Sequence, residues 1–221
     1  MTKPNEPAAA RPPEFDADFR ARLAELFAWR RDVRRFRTDP LPSALVDRLL
    51  DLAVLAPSVG NAQPWRFVSV ESAPRRAAII ADFEKANEEA ARLYRDEQAA
   101  LYSRLKLEGL KTAPVHLAVF CDETVAQGSG LGRQTMPETL RYSVVGAIQT
   151  LWLAARAHGV GMGWVSILHP ERINRTLEVA PEWFFVAYLC LGYPEEEHLD
   201  PELERHGWQR RSGEGRRLLK R

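Results

Sequence analysis

The sequence predicts an α+β or α/β sandwich, and three observations carry that prediction. Four apolar runs of strand length, at residues 66–71, 115–121, 161–168 and 184–194, are separated by longer helical patterns. Some of those helical patterns follow one another with no strand between them. A chain of 221 residues, 45% of them apolar, is long enough to bury one ample core.

The elements follow in order. Residues 1–14 are proline- and alanine-rich without a period and predict a disordered N-terminal arm; residues 15–221 predict one domain. Phe19, Leu23, Leu26 and Phe27 recur at three- and four-residue steps, which predicts an amphipathic helix running into Arg30. After the breaker "TDPLPS", Ser43 is a candidate cap for a helix through Leu45, Leu49, Leu52 and Ala53 that stops before Pro57. The turn-rich "APSVGNAQPW" leads into the strand "RFVSVE".

Residues 74–110 are helical in pattern but densely charged, and Ile79, Ile80, Phe83, Leu93, Tyr94, Leu101, Tyr102 and Leu105 make only a thin apolar stripe. Such a segment predicts an exposed excursion or a lid. The strand "VHLAVFC", a glycine-bearing loop over 122–137 and the most apolar helix of the chain, closed by Gly159, come next. "GMGWVSIL" reads as a strand, "PERINRTL" as a short helix with proline in its first turn, and "FFVAYLCLGYP" as a buried strand. The tail from Arg205 onward is basic and weakly patterned.

Composition narrows the function classes. A formal net charge of +1 gives no whole-molecule attraction to nucleic acid or membrane. Cys121 and Cys190 lie in apolar stretches without the spacing of a redox or zinc pair, so buried reduced thiols are expected. With no apolar signal core and no long apolar run, a soluble cytoplasmic protein is expected. His116, His158, His169, His198 and His206 are scattered without metal-ligand spacing, so no metal is expected. No G-x-S-x-G occurs, and "GSGLGR" is too irregular for a dinucleotide fingerprint.

"WRRDVRRFR", residues 29–37, places Asp32 among five arginines. Two readings stand side by side: a solvated helix end, with Asp32 balancing charge, or a phosphate clamp of bidentate guanidinium donors that Arg210 and Arg211 could close. In "APSVGNAQPW" the residues make turns, while Asn61 and Gln63 also bring amides suited to the edge of a heterocycle such as flavin. Ser166, read from its own segment, is a strand hydroxyl bonded to backbone.

Three segments taken together, "RRDVRRF", "APSVGNAQPWRFV" and "SVVGAIQTLWLAARAHGVGMGWVS", resemble in order and spacing the FMN-dependent nitroreductase superfamily, over roughly residues 16–211. Its usual first motif is R-R-S-x-R-x-F. Asp32 at the serine position, "GWVSIL" after the core helix, the charged 74–112 segment and "GWQRR" look like the flavin-destructase branch, the 5,6-dimethylbenzimidazole synthases of cobalamin biosynthesis.

The resemblance implies an α+β nitroreductase-like fold, with a central mixed sheet flanked by helices, in a homodimer with a lid at about 84–110 over the flavin. It implies reduced FMN as substrate, dioxygen as co-substrate and a separate NAD(P)H-dependent flavin reductase as supplier. Arg30, Arg31 and Arg34, with Arg210 or Arg211, would hold the phosphate and ribityl region. Ser58, Asn61 and Gln63 would meet the flavin across the dimer interface, Leu168 would lie near the ring and Ser166 near N5. Asp32 would act as acid/base at the ribityl carbon that becomes C2 of the product. Arginine neighbours favour the ionised carboxylate and burial opposes it, so both directions of pKa shift stay open. Competing readings are an NAD(P)H-dependent nitroreductase or reductive dehalogenase of the same superfamily, and a non-catalytic FMN-binding protein.

Overall fold

The computed structural model describes residues 11–104 and 109–221. In chain order the elements are α1 (Ala17–Trp29), α2 (Ser43–Ala53), β1 (Trp65–Ser69), α3 (Ala73–Ala91), α4 (Asp96–Arg104), α5 (Gly109–Thr112), β2 (Val115–Asp122), α6 (Thr139–Ala157), β3 (Gly161–Val165), α7 (Pro170–Leu177), β4 (Trp183–Gly192) and α8 (Glu202–Arg205). The strands form one sheet of order β1-β2-β4-β3.

The central strands β2 and β4 are covered on both faces, which is why their sequences read as continuous apolar runs rather than alternations. Leu117, Val119 and Cys121 of β2 and Ala187, Leu189 and Leu191 of β4 join one core cluster, which holds Leu49 of α2 and Leu151 of α6. Ala118, Phe120, Tyr188 and Cys190 point the other way, into a cluster with Ile79 and Phe83 of α3 and Ile173 of α7. The two-residue period of a strand sorts one apolar run into two cores.

The sheet is antiparallel at every strand pair rather than mixed; the parallel pairing among the described residues is the single bridge between Asp32 and Met162. That bridge stays short because the chain past Asp32 pairs with β3 only through Val33 and then moves to the segment after β4. Ser43 is the first residue of α2 and not its cap. The 74–110 segment is not an excursion from its start: Ile79, Asp82 and Phe83 of α3 are buried against the sheet. It leaves the core after them and breaks between α3 and α4. Residues 105–108 of the expected lid, and residues 1–10 of the expected arm, lie outside the described residues.

Two helices with apolar stripes differ in fate. In α6, Leu140, Val144, Ala147, Ile148, Leu151 and Ala155 form one buried face, and Gly159 takes the left-handed conformation (φ 70°) that ends the helix. α1 has no buried residue, and Phe19 and Phe27 stay exposed on its surface. Among the described residues no helix is long and apolar enough to cross a membrane. Cys121 and Cys190 are free and buried, and burial pushes both thiols up to about 12, which leaves them protonated and unreactive.

His116 of β2 is buried at 2% exposure between Tyr188 and the chain before the strand. Nε2 lies 3.1 Å from the carbonyl oxygen of Ala113, which can only accept, so Nε2 carries the proton and Nδ1 accepts from Tyr188 Oη at 2.9 Å. Burial, with Arg76 nearby, lowers its pKa to about 4. The folded value lies below that of the unfolded chain, so the neutral ring stabilises the fold fully above about pH 6.5 and loses that contribution as pH falls towards 4. Urea unfolding at pH 7 and pH 4 is expected to show a loss about 3 kcal/mol larger in the native chain than in a His116→Leu/Tyr188→Phe double variant. Parallel losses in the two proteins would refute the assignment.

Candidate active site

α1 ends at Trp29, and the Arg30 N–H closes its last turn onto Leu26 O at 3.0 Å. The chain then runs extended across the end of the sheet. Val33 N–H bonds Met162 O at 3.0 Å, Arg37 N–H bonds Tyr193 O at 2.9 Å, and Glu195 N–H bonds Arg35 O at 3.2 Å. Trp152 Nε1–H of α6 donates to Arg31 O at 3.2 Å. Glycines in "GMG" make the approach to β3 possible. A Cβ on Gly163 would sit 2.2 Å from Val33 O, and one on Gly161 would sit 2.9 Å from Val33 Cγ2.

This placement divides the arginines. Arg35 is taken by Glu196, with Nε at 2.8 Å, and by Glu202 at 3.3 Å; Arg37 is taken by Asp39 at 2.8 Å. Arg30, Arg31 and Arg34 line a cavity of about 230 Å³ that Arg211 closes from the C-terminal segment, with Asp32 and Glu202 in its wall. Arg30 also lies over the Trp152 ring at 4.9 Å, and Arg31 Nε donates to Leu199 O at 2.7 Å. Burial and the charges of Arg211 and Arg30 lower the pKa of Arg31, as crowding of like charge requires. Four guanidinium groups against two carboxylates form a donor set that fits a phosphate ester.

Asp32 lines this cavity. Its Oδ1 accepts from the Trp164 N–H of β3 at 2.9 Å, and among the described residues its Oδ2 has only the long 3.4 Å contact with Arg34 Nε. The 37% of the side chain that remains accessible opens into the cavities that Asp32 lines, one of them a pocket of about 10 Å³ formed with Gly109, Leu110, Trp164 and Cys190. Burial raises its pKa, outweighing the Trp164 hydrogen bond and the charge of Arg34, and Glu202 adds to the rise. Gly109, at the end of the segment expected as a lid, reaches the same place: a Cβ on it would meet the Phe36 ring at 2.8 Å.

The other candidate residues are distributed unevenly. Arg211 lines the arginine cavity, whereas Arg210 is exposed and lies outside it. Ser58, Asn61 and Gln63 form a tight turn in which Gln63 N–H bonds Ser58 Oγ at 3.0 Å and Gln63 Nε2 bonds Asn61 Oδ1 at 3.1 Å. Asn61 and Gln63 have positive φ (55° and 48°), a strained geometry held by the neighbouring glycine loop, where Gln127 Nε2 bonds Asn61 O at 2.8 Å. That loop is thus packed on the turn rather than free.

The turn is anchored to α6 at Ser143, through Val59 N–H at 3.1 Å, while Arg31 is anchored at Trp152. Nine residues of helix separate the two anchors by about 14 Å along the axis. Within one chain the amide turn and the arginine cavity are therefore different places. Strand β3 stops at Val165, so Ser166 is not a strand residue; it is exposed, without a hydrogen bond among the described residues. Leu168 is buried in the core cluster beneath the sheet.

Sequence reasoning did not find Gly163, the Trp164 N–H, Trp152 or Glu202 as parts of this site. The "GMGW" glycines on either side of a buried methionine were the available signal for a close backbone approach.

Comparison with known proteins gives three findings. The nitroreductase family pattern matches residues 27–193. A protein of Rhodospirillum rubrum named 5,6-dimethylbenzimidazole synthase is 61% identical, covering 90% of this chain and 94% of its own length, and one of the same name from Rhodobacter capsulatus is 49% identical, covering 88% and 94%. The crystal structure of iodotyrosine deiodinase bound to FMN and 3-iodo-L-tyrosine superposes with a TM-score of 0.67 at 26% identity, covering 80% of this chain and 91% of that one.

Proposed function

Because the chain belongs to the nitroreductase family, we propose that it is a 5,6-dimethylbenzimidazole synthase, which converts reduced FMN and dioxygen into 5,6-dimethylbenzimidazole, the lower ligand of cobalamin, erythrose 4-phosphate and a fragment that carries the flavin's pyrimidine ring. The observation that carries this reading is Asp32: a carboxylate with raised proton affinity in the wall of a cavity of guanidinium groups. A family member that only passes electrons has no use for a base there. Two relatives of the synthase name, each aligned over nearly its full length, support the same reading.

The bound, reduced flavin supplies the reducing equivalents for dioxygen and the atoms of the product. Arg30, Arg31, Arg34 and Arg211 hold its phosphate and ribityl chain by charge-assisted hydrogen bonds; Arg210 stays outside. Asp32 removes the proton from the ribityl carbon that becomes C2. Oδ2 does this, because Oδ1 is already held by the Trp164 N–H. A carboxylate whose proton affinity is raised by burial is a stronger base than an exposed one and lies nearer the working pH.

The uncommitted Ser166 hydroxyl donates near flavin N5, and Leu168 backs the ring. Ser58, Asn61 and Gln63 come to the flavin from the second copy of a homodimer, a reading supported by the separation of the amide turn from the arginine cavity and by the uncovered apolar face of α1. The lid excludes water and leaves no room for a nicotinamide, so a separate NAD(P)H-dependent reductase supplies the reduced flavin.

The test is a single mixing experiment: purified protein, chemically reduced FMN, no nicotinamide, then air, with products separated by mass. Dimethylbenzimidazole appearing as flavin disappears is the expected result. Quantitative return of oxidised FMN would sink the proposal and leave a reductase or a flavin-binding protein, which added NAD(P)H and a nitroaromatic would tell apart.

A further inference from the structure

Outside the arginine cavity, Asp82 on α3 is a buried carboxylate whose side chain takes three hydrogen bonds. It is 6% exposed and faces the core cluster beneath the sheet. Its Oδ2 accepts the backbone N–H of His169 at 2.8 Å, and its Oδ1 accepts His169 Nδ1–H at 2.9 Å and Arg172 Nη1–H at 3.2 Å. His169 Nε2 lies 3.4 Å from Glu89, seven residues further along the same helix and on the same face. Main chain and ring of one residue are thus both fastened to α3. A carboxylate buried to this degree persists only when its oxygens are engaged, so the arrangement is stiff.

The consequence lies three residues upstream. The segment 166–168 is held between two fixed points: Val165, paired with Tyr188 in the sheet, and His169, bonded to Asp82. Ser166 has no hydrogen bond among the described residues, so these two points set where its hydroxyl stands. One of them, His169, is fastened through Asp82 to α3. The position of Ser166 is therefore tied to α3 through one pair of residues, Asp82 and His169.

We propose that Asp82 and His169 are positioning residues that register Ser166 against the flavin. The inference rests on the synthase reading. When the clasp is loosened, reduced flavin still enters the arginine cavity, but its reaction with dioxygen partitions away from fragmentation: two electrons pass from reduced FMN to dioxygen with two protons, giving oxidised FMN and hydrogen peroxide instead of dimethylbenzimidazole.

The experiment reads that partition. Full-length native protein, His169→Ala and His169→Asn are mixed with chemically reduced FMN in air, and dimethylbenzimidazole and oxidised FMN are counted per flavin, alongside FMN affinity and melting temperature. His169→Ala is expected to bind FMN as the native chain does and to lower the product yield per flavin on the order of tenfold or more, with the missing flavin recovered as oxidised FMN. His169→Asn, whose amide N–H stands where Nδ1–H stood, is expected to restore the yield. An unchanged yield in His169→Ala, or equal loss in both variants, overturns the inference while native product formation leaves the synthase reading standing. If His169→Ala does not fold, Asp82→Asn, which keeps the volume and replaces one acceptor oxygen, is held to the same yield criterion. A native protein that makes no dimethylbenzimidazole removes the synthase reading and this inference together.

Discussion

Asp32→Asn is expected to keep FMN binding and to lower dimethylbenzimidazole formation by about two to four orders of magnitude, the range that general acid/base groups contribute. Binding survives because the amide oxygen can still accept the Trp164 N–H, now held by Oδ1 at 2.9 Å, and because the guanidinium groups of the cavity are untouched. Removing a negative charge from a phosphate cavity favours the ligand. Chemistry fails because an amide cannot take the ribityl proton at ordinary pH.

The native enzyme carries a second signature of the same group. Burial raises the pKa of Asp32, so activity is expected to fall on the acid side at a pH above the usual carboxylate range, as the base becomes protonated. Equilibrium FMN titration and single-turnover product counting across pH check both parts. Normal product yield from Asp32→Asn would remove Asp32 from the mechanism.

Gly163→Ala is expected to destabilise the protein by at least about 3 kcal/mol and to weaken the arginine cavity even where folded protein is recovered. The added methyl would sit 2.2 Å from Val33 O, a backbone atom that cannot turn aside as a side chain can. Relief requires the 32–33 segment to leave β3, which breaks the Val33 N–H bond to Met162 O and the Trp164 N–H bond to Asp32 together. At Gly146, on α6, an added methyl would meet nothing within 4 Å, so Gly146→Ala is the matched control and is expected to leave the urea midpoint unchanged or raised. Equal midpoints for the two variants would show that the approach of Val33 to β3 is dispensable.

Much of this site was legible in the residues. The arginine run with its aspartate, the amide turn and the apolar helix before "GMGWVS" stand in an order that limits the fold and the ligand class. The roles within the run were not legible. Arg35 and Arg34 look alike in sequence, yet Arg35 is consumed by Glu196 and Glu202 while Arg34 faces the cavity. Arg210 and Arg211 are adjacent and equivalent by composition, and chain direction after α8 brings only Arg211 to the cavity. The 74–110 stripe misled for a related reason: a helix half in the core and half out of it averages to a weak pattern, although Ile79 and Phe83 are buried like any core residues.

By itself, the sequence determined the element types, the two-sided burial of β2 and β4 and the chemistry available near residue 32, because hydrophobic period and residue type are local properties. Only the tertiary structure decided which oxygen of Asp32 is left with the longer contact, which arginines face the cavity and which way the proton affinity moves. Those outcomes depend on desolvation and on partners 132 and 168 residues away, at Trp164 for Asp32 and Leu199 for Arg31, and short-range charge and hydrogen bonding act through space rather than along the chain.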